Sequence, residues 1–135
     1  MKRNDFLKHL AGLAGFGWLG GAGFMKSSTR GYTLYEGWIA GYMYYNGPDV
    51  EKSLKAGLPL RLLREPDNKH DHRAIEIYAG SAKLGYIPKV DNRVLATLLD
   101  QGASLEADIA AIRPDNHPLR DWEPVKVRVW MGSPG

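Results

Sequence analysis

The stretch from Lys69 to Arg73 sets two basic side chains, two imidazoles and a carboxylate in succession. In an extended turn His70 and His72 fall on the same side, as alternate residues do. That is a start toward a metal centre or an acid–base pair. Structural zinc, however, takes four ligands in a fixed geometry. His117 and Glu76 are the residues that would have to be recruited, and nothing in the spacing requires it. Solvated turn histidines are the default, so no metal and no cofactor is assigned, and His70 and His72 remain the metal candidates. Asp71 has a separate chemistry. Its carboxylate accepts a hydrogen bond from a sugar hydroxyl and repels phosphate, or it caps an Asx-turn that leads into the next strand. Tyr44 and Tyr45 offer flat rings on which bases stack without sequence preference. On a strand, neighbouring side chains point to opposite faces, which would send one ring to the core.

Nothing in the chain spells a covalent catalyst. There is no Gly-x-Ser-x-Gly, no phosphate loop and no zincin helix, and the serines carry no local nucleophile signature. Cysteine is absent, which excludes disulfides and thiolate metal sites. The reading is of a protein that binds and is not an enzyme.

The chain of 135 residues has room for one domain behind an N-terminal leader. Residues 1–30 start basic and continue into an apolar run from Leu10 to Met25, followed by a small polar stretch. This is the grammar of an export signal or membrane anchor. "KRNDFLK" resembles the bacterial twin-arginine signal, with Asn4 where the second arginine belongs. A periplasmic or inner-membrane-anchored protein is expected if the leader is used, and a cytoplasmic one otherwise. Lys2, Arg3, Lys8 and Lys26 against Asp5 account for the whole net charge of +3, so the rest of the chain balances to zero. Nucleic-acid domains usually carry a strong basic excess.

Residues 31–135 must position the candidate groups. Residues 31–45, aromatic and β-branched with glycines between, predict one bent strand with corners at Gly37 and Gly41. Pro48, Asp49 and Gly57 bracket a short helix. Leu58, Leu60 and Leu62 mark the next strand. Residues 66–72 read as a turn and 73–87 as a hairpin about Gly80-Ser81. Asp91 opens a second helix, Val94, Leu95, Leu98 and Leu99 form its apolar stripe, and Gly102 ends it. Leu105, Ala107 and Ile109 alternate with acids. A loop over 113–124 leads to a final strand with Val125, Val127 and Val129 inward and Lys126 and Arg128 outward. About six strands, two short helices and no βαβ rhythm give a mainly β fold, a small OB-like barrel.

Four ordered segments sharpen this. "GYMYYNG", "LRLLREPDNKHDHRAIEIY", "KLGYIPK" and "LATLLDQG" together resemble the HIRAN domain, over roughly residues 35–130. That module stands at the N-terminus of DNA-repair translocases and also occurs as small stand-alone bacterial proteins. The resemblance implies a modified oligonucleotide-binding barrel that captures a single-stranded DNA end with a free 3′-hydroxyl. It implies that Tyr44 and Tyr45 meet the terminal nucleotides, Asp71 the 3′-hydroxyl, Lys89 a phosphate, and Trp122 the closing side of the pocket. Met43 stands where the DNA-binding members have an arginine, and His70 where a tyrosine is common. A nucleic-acid end is the expected partner, with catalysis supplied by another protein. The alternative is an exported or membrane-anchored protein-interaction or ligand-binding module built on the same barrel.

Overall fold

The computed structural model describes residues 31–132. The leader expected over residues 1–30 lies outside them. Six strands, β1 (Thr33–Trp38), β2 (Pro59–Arg64), β3 (Ile75–Ala79), β4 (Ala82–Tyr86), β5 (Leu105–Ile112) and β6 (Val125–Met131), are joined by two helices, α1 (Gly47–Val50) and α2 (Arg93–Asp100). The strands form one antiparallel sheet in the order β1-β6-β5-β2-β3-β4. Its two edges meet just beyond β1, where Ala40 and Tyr86 exchange main-chain hydrogen bonds of 2.8 and 2.9 Å. The sheet therefore curls back on itself, in keeping with the small OB-like barrel expected from the sequence. Gly85 permits that meeting. Its φ is +145°, and a Cβ built there would stand 2.3 Å from the Ala40 carbonyl oxygen.

The interior follows the alternation in the sequence. Val125, Val127 and Val129 are fully buried and face Ile39, Leu60, Ile75, Ile77, Leu84 and Ile109 in one cluster. Each such side chain contributes about 1.5–3 kcal/mol by leaving water. Pro59, which has no amide hydrogen to give, is the first residue of its strand.

Three local expectations are corrected. The single strand over 31–45 ends at Trp38, because Gly41 takes a left-handed conformation (φ 74°) and starts a 3-10 turn over Tyr42–Tyr44. The helix expected between Pro48 and Gly57 is one α-turn continued by a 3-10 turn at Glu51–Ser53. The second helix begins later than expected. Asn92 caps α2, while Asp91 lies in a preceding 3-10 turn and accepts the Tyr35 hydroxyl at 2.9 Å. The face packed on the barrel is Asn92, Leu95, Ala96 and Leu99, spaced as one side of a helix requires, and Val94 is exposed.

Candidate functional site

The loop from Glu65 to Ala74 is fastened at its ends. Glu65 N–H donates to the Ala74 carbonyl at 2.9 Å. Beneath it, the Arg64 guanidinium grips the Asp100 carboxylate at 2.9 and 3.2 Å and donates to the Ala74 and His72 carbonyls at 2.8 and 3.0 Å. Inside the loop, Asn68 Oδ1 accepts the amides of His70 and Asp71 at 2.8 and 3.0 Å, and its amide group donates to Glu65. Asn is suited to this Asx-type bonding because its short side chain reaches the backbone two residues on. Much of the Arg-Glu-Pro-x-Asn-x-x-Asp segment is thus scaffolding that aims Asp71.

Asp71 accepts the Arg73 amide at 3.0 Å and the side chain of fully buried Asn92 at 2.8 Å. Burial pushes its carboxyl up. The Arg73 and Asn92 hydrogen bonds and the positive charges of Lys89 and Arg73 outweigh that and hold it below the usual aspartate range. At neutral pH it is an ionised acceptor. An ionised carboxylate has about four lone-pair sites, so two donors do not exhaust it. Lys89, in the 3-10 turn before α2, donates to the His70 carbonyl at 3.2 Å and so reaches the same loop.

Asp71, Lys89 and Tyr45 line one open hollow of about 300 Å³. Ala40, Ala74 and Ile87 supply apolar lining, and Asn68, His70 and Tyr86 complete it. Its size is at the low end for small-molecule sites, about 300–1,000 Å³. The three sequence-predicted residues arrive from the 3-10 turn after β1, the β2–β3 loop and the segment after β4. The hollow offers a ring for a planar group, an anionic acceptor for a hydroxyl, and an ammonium for an anion.

The Tyr45 ring is held from behind. Lys83 Nζ lies 4.3 Å from its centroid and 4.4 Å from that of Tyr86, and the two rings meet edge-on, 5.8 Å apart at 64°. Lys83 also donates to the Tyr86 hydroxyl and pairs with Glu76, both at 2.9 Å. The Tyr86 hydroxyl in turn donates to Glu65 at 2.6 Å. Burial and Glu65 push this hydroxyl up to about 12 against the pull of Lys83. The Tyr86 and Asn68 hydrogen bonds hold Glu65 below the usual carboxylate range. Sequence reading passed over Lys83 and Tyr86. Tyr86 sat in plain view in "LGYIP"; a lone lysine in a hairpin gives no signal.

The other candidates fall elsewhere. Tyr44 is next to the hollow in sequence but does not line it, and its ring is 76% exposed beside Met43. The ring that goes to the core is Tyr42, whose hydroxyl donates to Glu51. Trp122 is 62% exposed in the 113–124 loop and does not line the hollow. His70 is exposed and lines the hollow, with its amide held by Asn68 and its carbonyl by Lys89, and His72 is exposed and does not line it. His117 is engaged in its own loop, where its Nδ1 accepts the Leu119 amide. Among the described residues no three His, Asp or Glu side chains gather as a metal site would need. A second depression of about 510 Å³ lies between α1 and the 113–124 loop. There Arg120 is ion-paired with Glu51 and Asp115, so its charge is already matched.

Comparison with known proteins bears on the family and the fold. The model of the HIRAN domain family matches residues 32–132. A crystal structure of a protein from Lactobacillus plantarum superposes with a TM-score of 0.58 at 28% identity, over 73% of this chain and 94% of that one. The crystal structure of the HIRAN domain of human HLTF superposes with a TM-score of 0.54 at 22% identity, over 73% of this chain and 75% of that one, which speaks to the fold. No curated protein matches the chain.

Proposed function

Because the chain belongs to the HIRAN domain family, we propose that it is a non-enzymatic module binding an extended, single-stranded nucleic-acid end, DNA with a free 3′-hydroxyl. Family membership supports a nucleic-acid-binding module in general. The finer reading rests on one observation: an aromatic face, an ionised acceptor and an ammonium from three separate segments share a single open hollow. In this reading the terminal base stacks on Tyr45, for about 1–3 kcal/mol. The exposed Tyr44 ring takes the neighbouring base. Asp71 accepts the 3′-hydroxyl, and its charge repels a strand that ends in phosphate. Lys89 contacts a backbone phosphate. Trp122 is given no part, and any catalysis belongs to another protein.

The test is fluorescence anisotropy with 5′-labelled oligonucleotides that end in 3′-hydroxyl or 3′-phosphate, at one fixed salt concentration. The free end is expected to bind at least about tenfold tighter, from loss of a charge-assisted bond and gain of a like-charge contact. Asp71→Asn should abolish most of that difference. Equal affinity for both ends in the unaltered chain would overturn end recognition.

A second reading has its own support. The charge beyond residue 29 balances to zero, and Met43 provides no guanidinium for phosphate. An exported or membrane-anchored interaction module would have these properties, with the N-terminal segment as its link to the membrane. Among the described residues no helix is long and apolar enough to cross a membrane. Fractionation of cells carrying the C-terminally tagged full chain decides this: recovery in the soluble cytoplasmic fraction alone removes it.

A further inference from the structure

A stacking ring is useful only if it stays in place, and the side chain that holds Tyr45 does not line the hollow. Lys83 Nζ stands 4.3 Å from the Tyr45 ring centroid and reaches Tyr86 at its hydroxyl end, 2.9 Å from the oxygen and 4.4 Å from the centroid, while the two rings meet edge-on with centroids 5.8 Å apart. Glu76 and the Tyr86 hydroxyl, each at 2.9 Å, hold the ammonium there. The backbone is fastened too. Asn46 N–H donates to the Lys83 carbonyl at 2.9 Å, so the residue after Tyr45 is tied to the residue that braces its ring. Lys83 keeps its proton: burial works against the charge, but Tyr86 and Glu76 more than compensate and raise its pKa above the usual lysine value.

We propose that Lys83 is a positioning residue that covers one side of Tyr45 while the Tyr86 ring meets it edge-on, so that the hollow takes one base stacked on the single open side of Tyr45 and cannot clamp a base between the two rings. The inference rests on the nucleic-acid reading above and adds its geometry: one planar group per site, presented to the uncovered side of Tyr45. It also assigns the cation a role distinct from phosphate contact. Lys83 acts through the rings, whereas Lys89 faces the hollow directly.

The test compares the full-length chain with Lys83→Met, Lys83→Arg and Lys89→Met. In the free protein, NMR should show the Lys83 ε-methylene protons shifted upfield by the two rings, and Lys83→Met should move the Tyr45 ring signals toward those of a freely rotating tyrosine. Affinity for a single-stranded oligonucleotide should fall about tenfold in Lys83→Met and recover in Lys83→Arg, which restores a cation over the ring. The dependence of log K on log salt should stay at the wild-type slope in Lys83→Met but drop by about 0.7 in Lys89→Met, the value for one lost phosphate contact on a single strand. Unmoved Tyr45 signals in Lys83→Met would overturn the proposal. So would a slope that falls as far as in Lys89→Met. If Lys83→Met does not fold, the Lys83 methylene shifts of the unaltered chain and the Lys83→Arg affinity decide. Should the unaltered chain bind no oligonucleotide, the functional reading fails, and the ring signals still decide whether Lys83 braces Tyr45.

Discussion

Two clusters on this barrel combine an aromatic ring, cations and carboxylates. At Trp38 the Arg113 guanidinium lies 3.7 Å and Lys126 Nζ 5.0 Å from the ring centroid. Arg113 also donates to the Glu123 carbonyl at 2.7 Å and pairs with its carboxylate at 3.5 Å, and Lys126 pairs with Glu36 at 3.8 Å. There each cation is answered by a carboxylate, and the cluster ties the 113–124 loop to β1 and β6. At Tyr45 a single cation braces the ring, and the ring still lines an open hollow. The same pairing of ring and charge is a fastening in one place and a wall in the other. What separates them is how much of the ring the fold leaves uncovered.

The sharpest way to break this contrast is to delete each ring. Trp38→Ala is expected to lower stability by about 2 kcal/mol, less than a fully buried tryptophan would because Trp38 is half-buried, and to leave oligonucleotide affinity unchanged. Tyr45→Ala should do the reverse, with about 1–3 kcal/mol of binding lost and a smaller stability change than Trp38→Ala. Chemical denaturation and anisotropy on both variants check the pair. A binding defect in Trp38→Ala as large as in Tyr45→Ala would erase the distinction.

A smaller effect should appear with pH. The Tyr86 hydroxyl is raised to about 12, above about 10 for an exposed tyrosine. Such a group adds stability that is complete below about pH 10 and is lost as pH climbs toward about 12. Burial and their acidic partners Asp91 and Glu51 raise the Tyr35 and Tyr42 hydroxyls as well, so Tyr86→Phe should reduce the alkaline decline without abolishing it. Asp71 runs the other way. Its lowered pKa adds stability that is complete above about pH 4 and is lost in acid. Thermal unfolding midpoints across the pH range, with and without Tyr86→Phe, measure both limbs. An alkaline limb unaffected by Tyr86→Phe would show that this hydroxyl does not couple the hollow to the fold.

How much of this was legible in the sequence depends on how far apart the partners lie. Val125, Val127 and Val129 announced their inward face because alternation is a local signal. Asp71, Tyr45 and Lys89 were named from the resemblance, and the structure brings them to one hollow. The conformation of Tyr44 and Tyr45 was misread, because one left-handed residue, Gly41, turns an expected strand into a 3-10 turn. That turn sends Tyr42, a residue not singled out, into the core in place of either neighbour. Arg64 gave no hint of its role as the loop's clamp, since its carboxylate partner Asp100 lies 36 residues away. Lys83 was invisible for the same reason: its work depends on Glu76, Tyr45 and Tyr86, and only folding brings these together.

The two edges of the sheet, just beyond β1 and at the end of β4, are joined by a bridge of two main-chain hydrogen bonds, and both of its residues, Ala40 and Tyr86, belong to the wall of the hollow. The cavity therefore straddles the seam where the curled sheet meets itself. An occupant that touches both edges acts as a clasp across that gap.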